Sequence, residues 1–390
     1  MTLDHVGIAA AGPEARALFE ALLGAAPYRV ETVEREGVTT VFFGDGGAAD
    51  AAPKVELLET DAPDSPVGRF LAARGPGVHH LAFEVPSLEK AMARVRGLGL
   101  RLLSDEPRAG ADGKRIVFLH PKDTGGVLVE LLETPRSPRE TVHVPTDAGH
   151  VAVHVSGPDG APPLVVLHGA LGSTALETDR LVRFWERRFR VVAVDLRGHG
   201  ESPTPDRAPT WADFTDDVVA VADALSLERF RLFGFSLGGG VALAVASQLG
   251  ERVERLAVHG VNVRWDEGEV EAMVGPMERV AAENPFWARR LAEVHGADRW
   301  ETLVAHAVSF TRALPAAPMS DGLLNAITAP TLVSHGDADR FFRLDHPLHL
   351  RRTIPDARLW VIPGLDHPIQ GVDAGAFARA VGDHLAGGPA

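Results

Sequence analysis

Six residues occur twice in the chain, as Val55-Glu-Leu-Leu-Glu-Thr60 and again as Val129-Glu-Leu-Leu-Glu-Thr134. An unchanged repeat constrains the fold strongly, because each copy must occupy an equivalent place in a duplicated unit. The starts of the two units also correspond. His5-Val-Gly-Ile-Ala9 has its counterpart in His80-Leu-Ala-Phe-Glu84, and His5 precedes Glu56 by almost the same interval as His80 precedes Glu130. Each half therefore opens on a strand carrying His and closes on a strand carrying Glu. Between them, residues 13–23 and 87–98 have helical apolar spacing, followed by short alternating runs. The pattern predicts an α+β domain made of a doubled β-α-β-β-β unit. A pseudo-two-fold axis in such a unit brings His5, Glu56, His80 and Glu130 together. One His on an apolar strand reads as a core residue, whereas four ligand-type side chains at duplicated positions read as a site. Two imidazoles and two carboxylates suit a divalent first-row metal (Co, Mn, Zn, Ni or Fe) with positions left open for substrate.

The runs Leu3-Asp-His-Val-Gly-Ile8, Gly77-Val-His-His-Leu-Ala-Phe83 and His120-Pro-Lys-Asp-Thr-Gly-Gly-Val-Leu-Val-Glu-Leu131 extend this reading. With their spacing, residues 2–134 resemble the methylmalonyl-CoA epimerases of the vicinal oxygen chelate superfamily, to which glyoxalase I also belongs. The resemblance implies that His80, the later of the pair with His79, is a metal ligand. It matches His5 and Glu130 to ligand positions and places Glu56 where relatives carry Gln or Glu. It implies an acyl-CoA substrate, proton exchange at the carbon α to the thioester, and Glu130 as one acid or base. Some relatives carry a second carboxylate on the strand after the Glu-Gly-Val turn. Here Gly37-Val-Thr-Thr-Val41 offers Thr39 and Thr40 instead. Lys114 and Arg115 are candidates to contact anionic substrate groups, or else solvated surface residues. A homodimer through this domain is compatible with the pattern.

Composition bounds the remaining classes. At 390 residues, two domains are expected. A net charge of −14 argues against nucleic acid as partner. Absence of cysteine removes disulfides and thiolate metal sites. No apolar run is long enough for a membrane span, and the first residues lack a basic, apolar leader, so the expected location is cytoplasmic.

Residues 135–141 are Pro-rich and polar and read as an interdomain joint. Beyond it, residues 142–155 alternate as two strands. Buried-strand runs at 163–169 and 189–195 then alternate with helical segments, which predicts a parallel, doubly wound α/β sheet over 142–390. In Arg231-Leu-Phe-Gly-Phe-Ser-Leu-Gly-Gly-Gly240, an apolar run enters Gly-x-Ser-x-Gly and leaves into an Ala/Val-rich helix. Strand, tight turn and helix are what a nucleophile elbow needs, with Ser236 exposed at a helix N-terminus. An Asp and then a His follow, each after a predicted strand. This half resembles the α/β-hydrolase superfamily along its length. The resemblance implies Ser236 as nucleophile, His367 as base and Asp339 as acid, with Asp337 second choice. It makes His168-Gly-Ala-Leu-Gly172 the oxyanion loop, with Ala170 and Leu237 as N–H donors, and residues 262–326 a helical cap. Serine at the elbow favours ester, thioester or lactone cleavage. The expected whole is a bifunctional epimerase and serine hydrolase. The alternative is an esterase or lactonase whose first domain is a non-catalytic binding or dimerisation module.

Overall fold

The computed structural model describes residues 2–10, 12–44, 54–85, 87–135, 137–316 and 319–388. The chain divides into two compact units, Met1–Arg136 and Ser137–Ala390. Arg136, within the stretch read as the joint, lies outside the described residues.

The first unit holds β1 (Thr2–Ala9), β2 (Arg29–Val33), β3 (Val38–Phe43), β4 (Lys54–Glu59), β5 (Gly77–Glu84), β6 (Arg108–Ala109), β7 (Arg115–Leu119) and β8 (Leu128–Glu133). Their order in the sheet is β2-β3-β4-β1-β5-β8-β7-β6, so the second half repeats the first in reverse. The halves meet where β1 pairs antiparallel with β5, placing His5 opposite Ala82 and Gly7 opposite His80. β4 runs parallel to β1 with Glu56 opposite Gly7, and β8 parallel to β5 with Glu130 opposite Ala82. Residues directly opposite share a face, as do residues two apart on a strand. All four predicted donors therefore emerge on one face at the centre of the sheet.

The residues next to the two glutamates point the other way. Leu57 packs with Val41, Phe43 and, on helix Pro13–Leu23, Phe19. Leu131 packs with Leu88, Met92 and Val95 of helix Leu88–Gly97. That helix starts where the Ser87 side chain accepts the Lys90 N–H, a cap worth about 1 kcal/mol. Burying each such Leu contributes roughly 1.5–3 kcal/mol. The repeated Glu-Leu pairs thus anchor one face while presenting a carboxylate on the other.

The second unit contains β9 (Glu140–Thr146), β10 (Gly149–Ser156), β11 (Pro163–Leu167), β12 (Arg190–Asp195), β13 (Phe230–Phe235), β14 (Val253–His259), β15 (Thr331–Gly336) and β16 (Ala357–Ile362). The order is β16-β15-β14-β13-β11-β12-β10-β9, parallel from β16 to β12 and antiparallel beyond. β13 alternates its load as a strand buried on both sides must. Phe230 and Leu232 join Val241 and Val245 of the following helix, Leu237–Leu249. Phe233 and Phe235 join Trp185 and Phe377 on the other face. Between β14 and β15 the chain leaves the sheet for helices Glu267–Glu278, Val280–Glu283, Pro285–His295, Trp300–Ala313 and Asp321–Asn325. Met277, Val280, Leu291, Leu303 and Val304 of this excursion form an apolar cluster with Leu171. Among the described residues, no helix is long and apolar enough to cross a membrane.

Candidate active sites

In the first unit, the register brings four side chains to one point. His5 Nε2 lies 3.0 Å from His80 Nε2, 3.2 Å from Glu56 Oε2 and 3.8 Å from Glu130 Oε2. His80 Nε2 lies 3.1 Å from Glu130 Oε2 and 3.3 Å from Glu56 Oε2. All four side chains are buried. Gly7 makes room for this, since a Cβ there would sit 2.2 Å from the His80 ring.

The far nitrogens are also held. His5 Nδ1 is held by Asp4 Oδ2 at 2.7 Å, which turns its Nε2 toward the cluster. Lys114 donates to both oxygens of Asp4 at 2.8 and 2.9 Å, so the carboxylate is itself fixed. His80 Nδ1 meets His79 Nδ1 at 3.1 Å. Burial works against an imidazolium at His80, yet hydrogen bonds to Glu130 and Glu56 overcome it and push the group up to about 10. Burial likewise disfavours ionised Glu56, but His5 and His80 pull it down to about 2. Two buried carboxylates thus hold whatever positive charge is nearest. The donor set fits a divalent cation: ligand atoms of His5, Glu56 and His80 lie within 4.8 Å of one another, with Glu130 at the fourth side.

The cluster opens on a cavity of about 180 Å³ walled by Phe42, Leu58, Val67, Phe118 and Leu128. Thr40 lines it too, its hydroxyl donating to Glu31 O. Lys114 is not a surface residue: it is buried in the cavity wall and bonded to Asp4. Arg115 is partly exposed and pairs with Glu89 and Glu133.

In the second unit, β13 ends at a turn that puts Ser236 at φ 50°, ψ −116°, ahead of the helix starting at Leu237. Gly238 is required by close approach: a Cβ there would lie 2.4 Å from His168 O. Ser236 Oγ donates to His367 Nε2 at 3.1 Å, and His367 Nδ1 donates to Asp339 Oδ2 at 2.8 Å. Asp339 Oδ1 accepts the N–H groups of Phe341 and Phe342, each at 2.9 Å. Burial opposes ionisation of Asp339, but His367 and these N–H groups outweigh it and hold the carboxyl below its ordinary range. Phe235, Phe341 and Phe342 surround the His367 ring at 4.8–5.5 Å. Asp337 is exposed, and its Oδ1 accepts the Gly364 N–H instead.

The loop 168–172 lies beside Ser236. Ala170 N–H has no partner among the described residues, and Leu237 N–H is one of the donors that a helix start leaves unused. Both residues line a cavity of about 690 Å³ with Ser236 and His367. Trp211, Phe214, Met273, Met277, Trp287 and Phe310 supply much of its wall. Cations at the wall are matched by carboxylates: Arg197 by Asp217 and Asp147, Arg290 by Glu293, Arg340 by Asp366.

Comparison with known proteins agrees with both halves. Residues 4–118 match the model of the Glyoxalase/Bleomycin resistance protein/Dioxygenase superfamily, and residues 162–322 that of the alpha/beta hydrolase fold. The mitochondrial methylmalonyl-CoA epimerase of Mus musculus is 40% identical over 131 residues, covering 33% of this chain and 71% of that protein. The 2-hydroxymuconate semialdehyde hydrolase of Pseudomonas sp. (strain CF600) is 34% identical over 250 residues, covering 57% of this chain and 87% of that protein. The chain belongs to both families. A solved Rhodococcus esterase shares the fold of the hydrolase half at 24% identity, with a TM-score of 0.52, 64% of this chain and 98% of that chain covered.

Within the epimerase-like unit the structure groups His5, Glu56, His80 and Glu130, and within the hydrolase unit Ser236, His367 and Asp339. Sequence reasoning missed Asp4 behind His5, and read Lys114 as a substrate contact or a surface residue rather than as the partner of Asp4. It also missed Glu177, whose Oε2 accepts the Gly169 N–H, and His295, whose Nε2 lies 3.1 Å from Leu171 O. Asp4 stands next to a predicted ligand and was within reach of a search for second-layer carboxylates. Glu177 carried no local signal.

Proposed function

We propose that the chain is a bifunctional enzyme: a metal-dependent acyl-CoA epimerase joined to a serine hydrolase acting on uncharged esters or lactones. The observation that carries the hydrolase reading is the unbroken hydrogen-bonded line from Asp339 through His367 to Ser236. Ser236 Oγ attacks the acyl carbon while its proton passes to His367 Nε2. Asp339 holds the imidazole in the required tautomer and stabilises its charged form. The N–H groups of Ala170 and Leu237 receive the oxyanion. His367 then returns the proton to the leaving oxygen, and water repeats the sequence on the acyl-serine. The apolar wall and the neutralised arginines favour an uncharged acyl group over an acyl-CoA thioester or a free carboxylate.

In the first unit, His5, Glu56, His80 and Glu130 would hold a divalent first-row cation. Such an ion, when bound, supplies Lewis-acid stabilisation of charge developing on a thioester oxygen. Asp4 and Lys114 keep His5 oriented. Glu130 exchanges a proton at the α-carbon, and the small cavity limits the acyl group to a short branched one. Thr40 supports a second reading, a binding module without turnover, because it offers no ionisable group in the cavity wall.

One experiment separates these. A panel of short branched acyl-CoA compounds is incubated in deuterated water with and without chelator and followed by mass spectrometry. Nitrophenyl esters, lactones and 2-hydroxymuconate semialdehyde are assayed in parallel. Deuterium uptake abolished by chelator supports the epimerase. No uptake with any acyl-CoA rejects it in favour of the module.

A further inference from the structure

Glu177 belongs to no part of the chemistry described so far, yet it lies in the wall of the hydrolase cavity together with Ser236, His367 and Ala170. It sits on a single π-helical turn, Thr174–Thr178, capped by Ser173. Its carboxyl is buried, and none of the ion pairs among the described residues involves it. Its Oε2 accepts the Gly169 N–H at 2.7 Å. The loop closes tightly over it: a Cβ on Gly172 would lie 2.2 Å from the same oxygen.

The rest of the loop is pinned as firmly. Leu171 is held at φ 58°, a conformation that non-glycine residues seldom adopt. Its N–H donates to His199 Nε2 at 3.2 Å, and its carbonyl accepts from His295 Nε2 at 3.1 Å. Each of these buried imidazoles has one donor and one acceptor in use, since His199 Nδ1 donates to Arg197 O and His295 Nδ1 accepts from Gly200 N–H. Gly169 and Leu171, on either side of Ala170, thus have their N–H groups committed, and the Ala170 N–H between them is left over.

We propose that Glu177 is a positioning residue for the oxyanion site: by fixing the Gly169 N–H it sets the direction in which the Ala170 N–H points. The inference rests on the serine-hydrolase reading given above. Burial raises this carboxyl to about 7, tempered by the Gly169 N–H, so the protein tolerates an acid here that a leucine would replace without that cost.

The test uses the full chain, a nitrophenyl ester, and a boronic acid that forms a tetrahedral adduct with serine. Glu177→Leu removes the acceptor. We expect kcat to fall by about 100-fold, with KM changed less than about threefold and boronate affinity falling in step with kcat. Glu177→Gln keeps a carbonyl acceptor and should retain kcat within about fivefold. Gly172→Ala drives a methyl group into the carboxylate and should reproduce the loss with Glu177 still present, which decides the matter if the Leu variant does not fold. Unchanged kcat in Gly172→Ala or in a folded Glu177→Leu overturns the proposal. So does a rise in KM alone, which would make Glu177 merely cavity wall. Ester hydrolysis surviving in Ser236→Ala would reject the serine-hydrolase reading itself, a different result.

Discussion

The two sites solve the problem of buried charge in opposite ways. In the epimerase-like unit, carboxylates and imidazoles converge on one point from four strands, and each polar group answers another. In the hydrolase unit, the titratable groups form a line, and most of the surrounding wall is aromatic or aliphatic. The first arrangement concentrates charge in about 180 Å³ and calls for a cation. The second is a hydrogen-bonded line through Ser236, His367 and Asp339 beside a cavity of about 690 Å³. A convergent cluster works through the field that it creates, whereas a linear relay works through the tautomer that it enforces.

The contrast can be broken at its strongest point first. Ser236→Ala should lower ester hydrolysis by about 10⁴-fold or more, measured under steady-state conditions, while solvent deuterium uptake into acyl-CoA continues unchanged. Loss of both activities would mean that the units are not independent centres. His80→Ala should remove a cluster ligand and lower divalent-metal content, measured by elemental analysis, by more than about tenfold, with deuterium uptake lost and ester hydrolysis retained. Metal content equal to that of the parent would end the four-donor assignment.

A smaller effect is expected one layer out. Asp4→Asn leaves the ligands in place but loosens His5, and should weaken metal affinity by about 10–100-fold in competition titrations. The smallest concerns Glu177, a buried carboxyl in the wall of the hydrolase cavity that pairs with no cation among the described residues. Glu177 has an ordinary value of 4.5 in the unfolded chain and about 7 in the folded one. The folded state therefore keeps the proton more tightly. The stability this gives is present below about pH 4.5 and is lost as pH rises through 7. Glu177→Gln should remove that slope and leave the variant more stable than the parent above pH 7, on the order of 1–3 kcal/mol by urea unfolding at pH 5 and pH 8. Parallel pH profiles for the two proteins would show that Glu177 is not the group responsible.

Much of the fold was legible, and for different reasons in the two halves. The duplicated sheet was visible because Glu56 and Glu130 recur within identical hexapeptides, and because a strand's period of two ties ligand and core positions together. The elbow was visible because a Gly-x-Ser-x-Gly run sits between an apolar strand and a helix, with Gly238 required by close approach of the backbone. What stayed hidden depends on contacts between distant segments. Lys114 meets Asp4 across the sheet, and no local pattern distinguishes it from a surface lysine. Glu177 reads in sequence as one more acidic residue on an amphipathic stretch, and becomes distinctive only once the loop 168–172 folds over it. After the Glu-Gly-Val turn the strand carries threonines, and of these Thr40 lines the cavity.

The conformation of Ser236 has a consequence for how the sequence can drift. At φ 50° and ψ −116°, glycine would sit more comfortably than serine. A change to glycine at this position would relax the chain and strengthen the fold while removing the hydroxyl proposed as nucleophile. Selection for folding and selection for reaction therefore pull in opposite directions at this residue.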